Sequence, residues 1–259
     1  MAEALAISRA SEAHALYLEG VSRSFGALVA LDRVDLTVEA GERRAILGAN
    51  GAGKTTLFNA VTGDFPPTAG RILFFGEDVT TLPPHERIRR GLRRTYQNSM
   101  LFRGLAVRDN LFLAARGLTP GRFSLRRAAA GDPAREMAER LAGYVHLTEV
   151  LDTPVSDLSH GQQRQLEIGM ALAGAPRMIL FDEPAAGLSP GERRDLIALL
   201  QALPSHIAFV IIEHDLDVAL RVAQHVTVMH NGAIYKQGTP AEIESDPDVQ
   251  AIYLGGQHG

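Results

Sequence analysis

Gly48-Ala49-Asn50-Gly51-Ala52-Gly53-Lys54-Thr55-Thr56 is the stretch on which the fold turns. It fits Gly-x-x-x-x-Gly-Lys-Thr. Residues 44–47 before it read as a short strand, and residues 54–61 read as a helix. Strand, glycine-rich loop and helix together form the context of a phosphate loop. The glycines let the backbone curl so that its N–H groups converge on phosphate oxygens, and the helix adds its positive dipole end. Lys54 is expected to reach the β- and γ-phosphates and Thr55 to ligate Mg²⁺. The plainer alternative, a glycine-rich turn with a surface lysine, is disfavoured by these flanks.

Working outward, residues 16–21, 34–38 and 71–75 read as further strands. Residues 178–181 and 207–212 are apolar enough to be buried strands, separated by a helix over 192–202. Strands alternating with helices at this spacing predict an α/β fold with a mainly parallel sheet covered on both faces. Residues 226–229 and 233–236 flank Asn231-Gly232, a pair favoured in tight hairpins because both residues tolerate positive φ. From about 98 to 156 the chain is mostly helical, with a basic, Gly/Pro-interrupted insertion over 116–135. This predicts a helical subdomain inserted into one domain spanning 15–259. Residues 1–14 are expected to form a loose tail.

Composition bounds the function. The chain has 259 residues, 46% hydrophobic and 22% charged, an ordinary globular balance. Cysteine is absent, which rules out disulfides and thiolate metal sites. A net charge of −4 gives no reason to expect nucleic-acid binding. The apolar runs fall far short of the roughly 20 residues that span a bilayer. Any membrane role is therefore expected to come from partners.

Several residues have the right chemistry for a nucleotide. Asp182 ends an apolar strand, where a buried carboxylate is costly without compensation; Mg²⁺ would supply it, although a turn or N-cap aspartate is the alternative. Glu183 follows and can accept a proton from an attacking water. His214, after the 207–212 strand, can donate to a γ-phosphate, or can be structural. Ser159-His160-Gly161-Gln162 reads as a capping box, and a capped helix start with a close-approach glycine is also an anion-binding end.

Taken in order, these segments resemble the ATP-binding-cassette (ABC) ATPases from about residue 16 to 254. The resemblance implies a P-loop NTPase core of ABC type, with an antiparallel β subdomain and the helical subdomain already described. It implies that Phe25 stacks on adenine, where local core packing is the alternative. Gly48, Asn50, Gly51, Ala52, Gly53, Lys54, Thr55 and Thr56 form the Walker A loop, and Gln97 contacts Mg²⁺ through its water. Ser159, Gly161 and Gln162 belong to the signature, which binds ATP held by a second subunit. Asp182 becomes the Mg²⁺ ligand of the Walker B pair, and Glu183, His214 and Lys54 the catalytic group. ATP and Mg²⁺ are the implied ligands. Many members carry aspartate where this chain has Ser189, and glycine where it has His160.

Arg94-Thr95-Tyr96-Gln97-Asn98, Leu158-Ser159-His160-Gly161-Gln162-Gln163-Arg164, Asp182-Glu183-Pro184-Ala185-Ala186-Gly187-Leu188 and Tyr253-Leu254-Gly255 are similar to the branched-chain amino acid importer ATPases. Urea and short-amide importers share these features and stay open as the alternative. The implied partners are a second ABC subunit in a homo- or heterodimer, integral-membrane permeases, and indirectly a solute-binding protein. The implied location is the cytoplasmic face of a membrane, the inner one in bacteria, with residues 97–110 receiving a permease helix. A soluble ABC ATPase acting on DNA or ribosomes is the first rival. Its relatives have long coiled coils or two cassettes, and neither is visible. A non-hydrolysing cassette is the second rival; intact Lys54, Asp182, Glu183 and His214 oppose it.

Overall fold

A computed structural model describes residues 14–97, 100–117 and 132–255, with side chains to residue 251. The proposed tail (up to residue 13) and most of the basic insertion lie outside the described residues. By contacts, the chain divides into two compact units. The first takes the described residues of 1–93 and 203–259 together with 177–183; the second takes 94–176 and 184–202.

The first unit holds two sheets. The smaller has the order β2-β1-β4-β5, built from β1 (His14–Phe25), β2 (Leu28–Glu39), β4 (Ala69–Phe74) and β5 (Glu77–Asp78), and its pairings are antiparallel. β1 and β2 each extend well beyond the predicted 16–21 and 34–38. Apart from the buried Ala15 and Leu31, their outer residues are polar, half-buried or exposed, so hydrophobic patterning marks them poorly. Register shifts let the hairpin continue to the Phe25–Leu28 pair.

The larger sheet has the order β10-β9-β3-β8-β7-β6. Its members are β3 (Arg43–Leu47), β6 (Leu92–Arg94), β7 (Met178–Asp182), β8 (Ala208–Ile212), β9 (His225–His230) and β10 (Ala233–Gly238). β3 runs parallel to β8 and β9, and β7 runs parallel to β8. Every residue of β7 and β8 is buried, as expected for strands covered on both faces. β9 and β10 pair antiparallel around Asn231 and Gly232, at φ 48° and 80°. That is the tight hairpin the Asn-Gly pair predicts. The core joins both sheets to the helix Lys54–Thr62 through Leu18, Leu36, Leu57, Phe58, Ile72 and Val210.

The helix Lys54–Thr62 ends at Gly63, whose N–H bonds back to Asn59 and Ala60. Its carbonyl end is also held by Arg87, only 1% exposed. Arg87 belongs to the helix Pro84–Arg89, and its guanidinium donates to the carbonyls of Ala60, Val61, Leu82 and Thr80. A cation on the last turn also opposes the negative end of the helix dipole.

The second unit is helical. Val107–Arg116, Pro133–Tyr144 and His160–Leu172 pack together, and Pro190–Ala202 packs on His160–Leu172. Leu111, Leu141, Val145 and Leu166 are among its buried residues.

Candidate functional site

Three loops of the first unit leave adjacent strands at their C-terminal ends, where open α/β sheets bind ligands. β3 runs into the glycine-rich loop, β7 into Asp182-Glu183, and β8 into Glu213-His214. Gly48 has φ 152°, and a Cβ there would lie 2.4 Å from the Met229 carbonyl oxygen. Gly53 has φ 99°, and its Cβ would lie 2.6 Å from the Ala30 carbonyl oxygen. These backbone contacts explain why both positions need glycine.

The helix Lys54–Thr62 begins at Gly53 with no side-chain cap, so its amide end is open to an anion. Lys54 is 5% exposed, and its ammonium donates to the carbonyls of Gly48 at 2.6 Å and Ala49 at 3.0 Å. Burial lowers its pKa, while Glu183 and Asp182 oppose the shift and place their negative charge close by. Asn50 and Thr55 are exposed, Ala52 is buried and Thr56 is half-buried.

Asp182 is 3% exposed at the end of β7, in register with Ile212. Glu183 has φ 49°, a left-handed conformation that costs a non-glycine residue energy and clusters at functional sites. Its backbone N–H bonds to the Ile212 carbonyl at 2.9 Å. Its Oε1 lies 2.7 Å from His214 Nε2. The predicted acid and histidine are therefore brought into direct contact. The hydroxyl of Thr55 and the carboxylate of Asp182 are hard oxygen donors of the kind Mg²⁺ takes.

Phe25 ends β1 and is 45% exposed. It meets Phe65 edge-on at 5.5 Å, and the Arg23 guanidinium lies 4.6 Å from the centroid of each ring. Both readings of Phe25 thus have a physical basis, since the ring packs locally and keeps an open face. Phe65 was not legible as its companion because only the fold brings it there, whereas Arg23 lies two residues earlier on the same strand and shares its face.

In the second unit, Gln97 is exposed at a bend. Ser159 caps the helix His160–Leu172, and the full capping box with Gln162 is present. Sequence reasoning missed Glu192, whose carboxylate accepts from Ser159 Oγ and Gly161 N–H. Ser189-x-x-Glu192 is itself a capping-box pattern, the one signal that could have drawn attention to it.

The model of the ABC transporter family matches residues 31–186, and that of the branched-chain amino acid ATP-binding cassette transporter matches residues 237–259. BraF of Pseudomonas aeruginosa, a high-affinity branched-chain amino acid transport ATP-binding protein, is 39% identical over 93% of this chain and 97% of its own length. LivG of Escherichia coli K12, of the same description, is 36% identical with the same coverage. A crystal structure of the ADP conformation of an ATP-binding cassette of an ABC transporter superposes with TM-score 0.82 at 33% identity, covering 93% of this chain and 99% of that one. A dimeric post-hydrolysis cassette bound to ADP and Pi covers 87% of this chain and 98% of that one, with TM-score 0.73 and 25% identity. With the family model matched over residues 31–186 and relatives 36–39% identical over nearly their whole length, the chain belongs to the ABC transporter family as one of its ATPase subunits.

Proposed function

We propose that this ATPase subunit powers the import of branched-chain amino acids through membrane permeases, which it joins from the cytoplasmic face. The observation that carries the catalytic part is the contact of Glu183 with His214 next to the Lys54 loop. Lys54 and the open helix end receive the phosphates. Thr55 and Asp182 would hold Mg²⁺, which would supply neutralisation of the phosphate charge. Glu183 accepts the proton of the water that attacks the γ-phosphorus in line, the bond to the β–γ bridging oxygen breaks, and His214 donates to the γ-phosphate.

Two subunits, alike or different, place each ATP between one phosphate loop and the partner's Ser159, Gly161 and Gln162. ATP closes this dimer and hydrolysis releases it. Phe25 offers its open face to adenine, and Gln97 is the proposed relay to the permease. Residues 15–259 work as one nucleotide-binding domain with a lobe at about 98–156. The exposed apolar residues Tyr96, Met100, Phe102 and Leu105 support the permease-docking role of that region. No helix among the described residues is long and apolar enough to cross a membrane, which supports a peripheral attachment.

Purification from native membranes, identification of bound permeases and uptake assays with leucine, urea and short amides test this reading. Co-purifying permeases and loss of leucine uptake in a Lys54→Ala strain are expected. Recovery of soluble partners alone, or loss of urea uptake with leucine uptake intact, overturns it.

A further inference from the structure

The start of the helix His160–Leu172 already holds an anion, and that anion belongs to the protein. Glu192, the third residue of the helix Pro190–Ala202, directs one carboxylate oxygen at the signature. Its Oε1 accepts from the Gly161 N–H at 2.8 Å and from the Ser159 hydroxyl at 3.1 Å. Its Oε2 accepts from the Ser189 N–H at 3.0 Å and the Ser189 hydroxyl at 2.8 Å. These donors, the Ser189 amide foremost, draw the Glu192 carboxyl down to about 2, so it is charged throughout the physiological range.

Ser159 Oγ and Gly161 N–H are the donors that the proposed dimer offers to the partner's nucleotide. A carboxylate oxygen and a phosphate oxygen make the same demand on them, and two anions at one amide repel. A Cβ on Gly161 would lie 2.7 Å from Glu192 Cγ, so glycine is what lets an anion come this close. The Ser189 end of the contact lies in Glu192's own helix cap, and it survives if Oε1 lets go. A hollow of about 90 Å³ lined by Ser159, Gly161, Gln162, Arg164, Glu192 and Asp195 adjoins the carboxylate.

We propose that Glu192 is an internal stand-in for the γ-phosphate. It occupies the signature's donors in the separated subunit and is displaced when the partner's ATP arrives, so it sets the ATP concentration at which the dimer closes. Ser189 makes this possible, because its hydroxyl donates to Glu192 where a second carboxylate would repel it.

The proposal rests on the cross-subunit reading above, and one experiment separates the two. ATP-dependent dimerisation of full-length Glu183→Gln protein is measured by analytical ultracentrifugation, alone and combined with Glu192→Gln or Glu192→Ala. Both second substitutions remove or weaken one charge-assisted hydrogen bond and are expected to lower the ATP midpoint by about tenfold, and Glu192→Gln, which keeps the cap acceptor, guards against misfolding. An unchanged or raised midpoint in both overturns the stand-in while leaving the dimer intact. A Glu183→Gln parent that binds ATP yet stays monomeric overturns the cross-subunit reading, and the stand-in with it.

Discussion

Glu183 sits at a left-handed φ of 49° with its carboxylate against His214, so its position is imposed by the fold. Glu183→Gln preserves the shape and a hydrogen bond to His214 but cannot take a proton. Steady-state ATP turnover should fall by about 10²–10⁴-fold with ATP still bound. Unchanged turnover would remove Glu183 as the base. Lys54→Ala removes the buried ammonium from the phosphate loop, and nucleotide-binding titration together with an ATPase assay should show affinity or hydrolysis abolished. Glu192 gives a pH prediction. Its folded pKa of about 2 lies below the ordinary value near 4.3. Its stabilising contribution is therefore complete above about pH 5 and is lost progressively as pH falls from there toward 2. Glu192→Gln should flatten that acid limb in urea unfolding midpoints measured from pH 7 to 3. Residue types within a motif were legible because each motif is local. The Ser159–Glu192 bond joins residues 33 apart, and no local pattern announces it.

At the scale of elements, the strands that matter most were the most legible. β7 and β8 are fully buried, so unbroken apolar runs mark them. Asn231-Gly232 marked its hairpin because only certain residues accept that backbone. β5, with two exposed residues, and β6, with one of three buried, bury too little surface to write a pattern. The role of Arg87 was equally hidden, since an arginine within the run His85–Arg90 reads as a solvated charge. Its guanidinium in fact closes the carbonyl end of the phosphate-loop helix, and burial lowers its pKa to about 10. Arg87→Ala would leave several carbonyls unsatisfied and a hole in the packing. Chemical denaturation should show a loss of about 2–4 kcal/mol, accompanied by weaker ATP binding. A loss under about 0.5 kcal/mol, the range of ordinary surface changes, would contradict the capping role.

For the whole molecule, the phosphate loop and the signature belong to different compact units. The proposed dimer makes two composite sites, each with the phosphate loop of one subunit and the signature of the other. A lesion in either part should therefore be complemented by a subunit carrying the opposite lesion. Lys54→Ala and Ser159→Phe proteins are purified separately, shown to be inactive, and mixed with ATP and Mg²⁺. Composite sites predict that ATP hydrolysis reappears in the mixture, from dimers that retain one site with both parts intact. A mixture as inactive as either variant alone, with the dimers shown to form, would contradict the account.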